Sequence, residues 1–436
     1  MRRPTVDLSA TDWQFPEPRV HTLPNGITVW HFPMPGQHVA AFELVQPIRL
    51  TAEPRELEGV GTIALHALDE STVPHPDMQE LLDLEGAALH AAAHVHATRF
   101  GGLVPARRLA GVLPLLTEFL TEPGYHPDDV ALHVEAQEAA FRTRLSTPAA
   151  AARWALRIGL YGSGQRQGRP ICGTPETLAR ITRDEVLAWH RQHYAPTGSV
   201  LVVAGDLPDL DTHALDAWRT TATRSPLAEP TTAGPAVLVA DVPGAVQATI
   251  VVARRSIGRD DPRWAAARLA GHVLAGGFAS RLNLELRERL GYTYGIGGGF
   301  VPDPTGSLLQ VQTSTRTDVA GDALERILDA FRLDTPVTVA ELDDAKAFRI
   351  GIAPLANETA GDVAQQAAAL AEAGLTVGYV NQHTEQLRAV TPDEASATWR
   401  ELVDPSQFVV AIAGDARTLL PQLAAHDPRV VALDEG

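Results

Sequence analysis

The sequence predicts an α+β protein of two homologous domains that close on each other like a clamshell. Each domain is expected to be a mostly antiparallel sheet with helices packed on one face, and the pair should enclose a cavity. Two observations support this: an internal repeat spans the chain, and each half begins with strand patterns and continues with helix patterns. The 436 residues, 45% hydrophobic and 20% charged, are enough for two globular domains.

The repeat is clearest in two segments that align without a gap. Residues 181–206 (ITRDEVLAWHRQHYAPTGSVLVVAGD) match residues 390–415 (VTPDEASATWRELVDPSQFVVAIAGD) at a constant offset of 209, with ten of 26 positions identical. Each copy predicts a threonine N-cap, an amphipathic helix, a proline stop and a buried strand that ends in Gly-Asp. The chain therefore carries the same unit twice.

The boundary between the units is expected in the segment ATRSPLAEPTTAGPA (222–236), where proline, threonine and glycine cluster without apolar periodicity. We predict a first domain over residues 1–222, a linker over 223–236 and a second domain over 237–436. The strands GITVWHF and AAFELVQ open the first domain, and AVLVAD and ATIVVARR open the second.

Charge and cysteine content exclude several classes of protein. The net charge of −17 argues against nucleic acid as a partner, because phosphate binding needs an excess of Lys and Arg. The single cysteine, Cys172, excludes an internal disulfide and a cysteine-based zinc site. The first 15 residues lack an apolar signal-peptide core, and no apolar run is long enough to cross a membrane. We expect a cytoplasmic protein without a membrane partner.

Histidines in the first half raise the question of a metal site. The segment GVGTIALHALDE (59–70) predicts an apolar helix with His66 and, four residues later, Glu70. His90, His94 and His96 have even spacing and would share one face if their segment is a strand. These side chains either bind a metal or are ordinary polar and packed residues.

Three segments resemble the pitrilysin/insulinase-type zinc peptidases, which include mitochondrial processing peptidase and the cytochrome reductase core proteins. They are GSGQRQGRPICGTPETLARIT (162–182), EGAALHAAAHVHATRF (85–100) and GGFASRLNLELRERLGYTYGIGGGF (276–300). The second is similar to the substrate-binding edge strand of that family, and the third resembles the motif of its second domain.

The resemblance implies that this chain has lost the family's zinc site. The motif His-x-x-Glu-His falls on residues 62–66, so that Thr62 replaces the first histidine, Leu65 replaces the general base and only His66 remains. The third ligand position holds Ala140, seven residues after His133. Glu135 and Glu138 lie nearby, but a two-residue shift on a helix turns a side chain about 200° away. We expect no cofactor in this chain and zinc in a partner subunit.

The second-domain motif is retained. The family pattern Leu-Arg-Glu-x-x-Gly-x-x-Tyr is matched by Leu286, Arg287, Glu288, Gly291 and Tyr294. In the family the arginine and tyrosine act on the substrate, which makes Arg287 and Tyr294 candidate catalytic residues in trans to a partner's zinc. With His90, they are also the candidate substrate-binding residues. The alternative is that Arg287 forms a salt bridge on a helix and Tyr294 merely starts a strand.

Three functions remain open. The chain is the non-metal subunit of a heterodimeric zinc peptidase that processes peptides or leader peptides, or an inert peptide-binding or scaffold protein of the same fold. A third possibility is an autonomous enzyme with an unconventional metal site. An extended peptide substrate would add to an exposed sheet edge, a mode of binding that tolerates many sequences.

Overall fold

The computed structural model describes residues 13–222, 224–227 and 229–433. The start of the chain, on which the signal-peptide argument depends, and residues 223 and 228 of the predicted linker lie outside the described residues. Each half contains one six-stranded, mostly antiparallel sheet with helices, as predicted. Among the described residues no helix has both the length and the apolar character needed to cross a membrane.

The first sheet has the strand order β1-β2-β6-β3-β5-β4, in which only β2 and β6 run parallel. Strand β4 forms one edge of this sheet, as the family resemblance implies for the substrate-binding strand. The strands are β1 (Arg19–Thr22), β2 (Thr28–Pro33), β3 (Val39–Gln46), β4 (Ala88–Ala93), β5 (Thr98–Pro105) and β6 (Val200–Gly205).

The second sheet has the order β12-β7-β11-β8-β10-β9, with β9 at the edge that corresponds to β4. Its strands are β7 (Ala236–Asp241), β8 (Gln247–Ser256), β9 (Ile296–Asp303), β10 (Gly306–Arg316), β11 (Val409–Gly414) and β12 (Arg429–Val431).

The helices follow the same order in both halves. Those of the first half are α1 (Val60–His66), α2 (Met78–Glu85), α3 (Leu109–Thr121), α4 (Pro127–Leu145), α5 (Pro148–Tyr161), α6 (Pro175–Leu178) and α7 (Arg183–His193). Those of the second half are α8 (Trp264–Ala275), α9 (Arg281–Asn283) with the π-helical turn Leu284–Arg289, α10 (Ala320–Phe331), α11 (Val339–Gly351), α12 (Ala360–Glu372), α13 (Gly378–Ala389), α14 (Pro392–Leu402) and α15 (Ala416–Gln422).

The repeated segments fold alike. Thr182 caps α7 and Thr391 caps α14, each in a capping box with the glutamate three residues on. The strands that follow, β6 and β11, occupy matching positions in the two sheets. At their ends, Asp206 and Asp415 each accept a hydrogen bond from a glycine N–H on the neighbouring turn. The internal duplication is thus visible in the caps as well as in the strand order.

The two halves exchange one helix each, an arrangement that the sequence does not predict. Helix α12 of the second half packs on β3 and β6 of the first sheet, and α5 of the first half packs on β7, β8 and β11 of the second. Buried alanines face the sheet on both helices, and small side chains allow this close approach. Each sheet is therefore covered by its own helices on one face and by a helix of the other half on the opposite face.

Candidate functional site

The positions assigned to the first zinc ligand and the general base lie on α1, inside the first-half core. The Thr62 side chain is buried, and its hydroxyl donates to the carbonyl oxygen of Ile171 at 3.5 Å. Leu65 is fully buried among apolar residues. A leucine in this place packs the helix against its neighbours and offers no group that takes a proton.

His66 and Glu70 do not share a helix face, because α1 ends at His66. His133 on α4 lies between them: its ring stacks on His66 with centroids 6.3 Å apart, and its Nε2 lies 2.9 Å from Glu70 Oε1. Burial, together with the charge of His133, lowers the pKa of His66.

Further along α4, the third ligand position is occupied by Ala140, whose side chain is a methyl group. Glu138 forms an ion pair with Arg142 at 3.0 Å. Glu135 lies on the exposed face of the same helix. Within the described ranges, no group of three His, Cys, Asp or Glu side chains is arranged to hold a metal ion.

His90 lies on the edge strand β4 with its side chain about half exposed. Its Nε2 is 2.9 Å from Oε1 of the buried Glu43, across the intervening β5 residue Gly101. A Cβ at Gly101 would meet Phe42 O at 2.5 Å and Glu43 Oε2 at 2.7 Å, so this crossing needs a glycine. The hydrogen bond to Glu43 raises the pKa of His90.

The three evenly spaced histidines do not share a strand face, because β4 ends at Ala93. His94 and His96 lie in the turn that follows, where His94 N donates to Ala97 O at 2.8 Å. His94 Nδ1 lies 2.9 Å from Glu372 Oε2 on α12. Burial lowers the pKa of His96.

Arg287 lies in the π-helical turn Leu284–Arg289 of the second half. Its guanidinium is stacked over the ring of Phe278 at 4.9 Å from the centroid, and its Nη1 lies 3.5 Å from Glu288. The turn closes through Gly291, which has a φ of +65°. A π-helical turn inside a helix is frequently a functional feature.

Tyr294 follows this turn, two residues before β9, and is 94% exposed. It stands at a cavity of about 710 Å³ that Phe278 also lines, with Phe348 and His272 on another wall and the carboxylates of Glu341 and Asp344. Burial lowers the pKa of His272 to about 4, which leaves its ring neutral at physiological pH. The sequence predicts the role of Tyr294 but not this cavity, part of which is lined by the segment 276–300.

The structure therefore brings Arg287 and Tyr294 to one accessible surface. Arg287 is joined to the cavity through Phe278, and Tyr294 lines it directly. A tyrosine hydroxyl and a guanidinium can donate hydrogen bonds to a peptide carbonyl and to its neighbouring backbone. Arg287 and Tyr294 lie in the second half, whereas His90 lies on the edge strand β4 of the first half.

The protein is therefore a two-domain α+β molecule with a duplicated fold and with an accessible arginine and tyrosine beside one cavity. Residues 180–348 match the family described as peptidase M16 inactive domain. This match confirms the resemblance to the pitrilysin/insulinase-type peptidases inferred from the sequence.

Relatives and solved structures agree with this resemblance. An uncharacterized zinc protease of Mycobacterium bovis is 24% identical over 433 residues, 94% of this chain and 96% of that protein. One from Streptomyces coelicolor is 23% identical over 63% of this chain, a match that spans 62% of the relative's length. The non-peptidase homolog YmxG of Helicobacter pylori is 38% identical over 91 residues, 20% of this chain and 21% of that protein.

The fold is shared with a peptidase M16 inactive domain from Pseudomonas fluorescens, at a TM-score of 0.83 and 22% identity, covering 91% of this chain and 98% of that one. A protease from Helicobacter pylori gives a TM-score of 0.79 at 15% identity, covering 92% and 100%.

Proposed function

We propose that this chain is the non-metal-binding subunit of a heterodimeric zinc peptidase. It supplies Arg287 and Tyr294 in trans to the zinc site of a homologous partner subunit, for the processing of peptides or leader peptides. The observation that carries the proposal is the exposure of Tyr294 beside a large cavity, in a chain whose positions for a zinc ligand and the general base are a buried threonine and a buried leucine.

Within this proposal the chain's own groups position the substrate. The Tyr294 hydroxyl donates to the carbonyl oxygen of the bond that is cut, and this hydrogen bond strengthens as negative charge develops on that oxygen. Arg287 orients the peptide backbone, and its stacking on Phe278 holds the guanidinium in place. The partner's zinc would supply the activated water.

The substrate in this proposal is an extended peptide. Strand β4 has a free edge, and the half-exposed His90 beside it is held by Glu43. A peptide can add to such an edge through main-chain hydrogen bonds.

The proposal keeps the cytoplasmic location expected from the sequence, which cell fractionation tests.

A second candidate function is a catalytically inert peptide-binding or scaffold protein of the same fold. The local match to a non-peptidase homolog favours it. Such a protein does not need the hydroxyl group of Tyr294, so a requirement for this hydroxyl distinguishes the two candidate functions.

Co-expression with a homologous chain that carries His-x-x-Glu-His tests the proposal. We expect a stable 1:1 complex in size-exclusion chromatography with light scattering, and peptide cleavage only by the mixture. Chelator-sensitive cleavage by this chain alone, at the rate of the mixture, would instead support an autonomous enzyme. A complex that never cleaves peptides would support the scaffold.

A further inference from the structure

A second cavity, of about 350 Å³, lies in the first half. It is formed by the end of α4, the face of α5 and the loop at residues 170–172. Its lining residues are Phe141, Arg144, Leu145, Ala150, Arg153, Trp154, Arg157, Pro170, Ile171 and Cys172. None of the residues assigned above to substrate or zinc lines it.

Three arginines and no carboxylate line this cavity among the described residues. Arg157 is half-buried, donates only to the backbone oxygen of Arg169 at 3.2 Å, and leaves its buried Nε without a partner in the described part of the chain. Arg144 Nη1 lies 3.3 Å from Cys172 Sγ. Burial raises the pKa of that thiol, so the thiol provides no compensating negative charge at neutral pH.

This arrangement contrasts with the neighbouring buried arginines. Arg166 is bound by Glu53 at 2.6 Å, and Arg169 by Glu58 at 2.5 Å. The whole chain has 53 acidic and 36 basic residues, so uncompensated arginines are not a consequence of composition. Arg144 and Arg153 are exposed and Arg157 is half-buried, and an anion in the cavity would be attracted by all three guanidinium groups.

The remaining wall of the cavity is apolar. Phe141 and Trp154 meet edge to face with ring centroids 5.4 Å apart, and Leu145 and Ile171 extend this surface. The volume is at the lower end of the range for small-ligand sites. A small inorganic anion would leave the aromatic wall unoccupied.

We propose that this cavity binds a carboxylate carried on an apolar group of amino-acid size. The arginines would take the carboxylate, since a guanidinium fork matches its two oxygens, and the aromatic wall would take the apolar group. Such a ligand has two sources: a free N-acylated apolar amino acid, or the C-terminal residue of a peptide. The site is separate from Tyr294 and does not depend on the proposed function.

Isothermal titration calorimetry of the full chain tests the site and distinguishes the sources. The probes are N-acetylphenylalanine, its amide, a tetrapeptide that ends in phenylalanine with a free or amidated C terminus, and inorganic phosphate. We expect both free carboxylates to bind about tenfold more tightly than their amides, because a charged hydrogen bond is lost in the amide. Tighter binding of the tetrapeptide acid than of the free acid assigns the site to peptide C termini, and the reverse assigns it to free acids.

Two variants and a control complete the test. Arg153→Gln should weaken the binding of the carboxylates about tenfold. Trp154→Leu should weaken the binding of N-acetylphenylalanine without strengthening the binding of phosphate. Arg142→Gln is the matched control, since Arg142 is an exposed arginine of α4 outside the cavity. The proposal would be overturned if the acid and its amide bind equally, or if phosphate and N-acetylphenylalanine bind equally. Equal effects of the Arg153 and Arg142 variants would also overturn it.

Discussion

At the scale of single residues, the contrast between Leu65 and Tyr294 carries the functional argument. Leu65 is enclosed by the first-half core, whereas Tyr294 is an exposed aromatic side chain beside a largely apolar cavity. Leucine in a core needs no explanation beyond packing. An exposed tyrosine beside a cavity has no packing role, which points to a ligand.

The first prediction concerns Tyr294→Phe in the assembled complex. Because one donor to a developing oxyanion is lost, kcat should fall about 10²–10³-fold while assembly and KM change little. Steady-state peptide cleavage measures both constants. Arg287→Ala should raise KM as well, since the guanidinium orients the peptide already in the ground state.

Tyr292→Phe is the matched control for this prediction, because the Tyr292 hydroxyl already bonds Asp322 and lies outside the cavity lining. Both tyrosine variants should change the free energy of unfolding by at most about 0.5 kcal/mol. Full turnover by Tyr294→Phe in a properly assembled complex would show that the tyrosine is not catalytic, and the scaffold function would then be preferred.

The second prediction concerns zinc. Since Thr62, Leu65 and Ala140 occupy the positions of two ligands and the base, the chain purified alone should hold no stoichiometric zinc. Elemental analysis after dialysis measures this, with a His-x-x-Glu-His homologue prepared in parallel as the positive control. One tightly held zinc per chain would contradict the prediction and support an autonomous metal site.

At the scale of elements, the sheet edge that presents His90 depends on one glycine. The side chains of His90 and Glu43 meet above Gly101, and only a residue without Cβ leaves that path open. The edge strand β4 is thus tied to the central strand β3 by a side-chain bridge in addition to the backbone ladder. This bridge positions His90 for the peptide binding proposed above.

The third prediction is that Gly101→Ala destabilises the first half. The new Cβ would meet Phe42 O at 2.5 Å, a contact that only backbone movement relieves. We expect a loss of about 1–3 kcal/mol in the free energy of unfolding, measured with urea. Gly297→Ala on β9 is the control, since nothing lies within 4 Å of its Cβ, and an equal loss there would indicate a general effect of alanine in these strands.

The elements differ in how far the sequence predicts them. Helices α7 and α14 and the strands after them are predicted because their signals are local: a threonine cap, a proline stop and an apolar run. The end of β4 is not predicted by the sequence. The even spacing of the histidines continues through His94 and His96, whereas the position of the turn depends on pairing with β5. The candidate site follows the same pattern, since the motif identifies Arg287 and Tyr294 but the cavity between α8, α11 and β9 forms only on packing.

At the scale of the whole molecule, the exchanged helices join the two halves. The alanine-rich patterns of α5 and α12 predict helices that pack closely, but they do not tell which sheet each one covers. At the end of α12, Glu372 binds both His94 and Arg99 of the first half, at 2.9 and 2.5 Å. This ion cluster links the end of the exchanged helix to the hairpin that follows the edge strand β4.

The fourth prediction is a pH dependence that this cluster causes. Burial by itself raises the pKa of Glu372, but the hydrogen bond from His94 and the charge of Arg99 outweigh it and hold the pKa below its ordinary value. A carboxyl whose pKa is lowered on folding contributes stability above its unfolded pKa of about 4.3, and that contribution is lost as the pH falls through the folded value. Glu372→Gln should therefore lower the free energy of unfolding by about 1–3 kcal/mol at pH 7, and by less as the pH approaches 3.

Urea unfolding from pH 7 to 3 measures this loss. Glu176→Gln is the control, because Glu176 is exposed and its ion pair with Arg180 contributes little to stability. If the curves of the wild type and Glu372→Gln stay parallel over that range, Glu372 is not the group that couples protonation to the docking of α12.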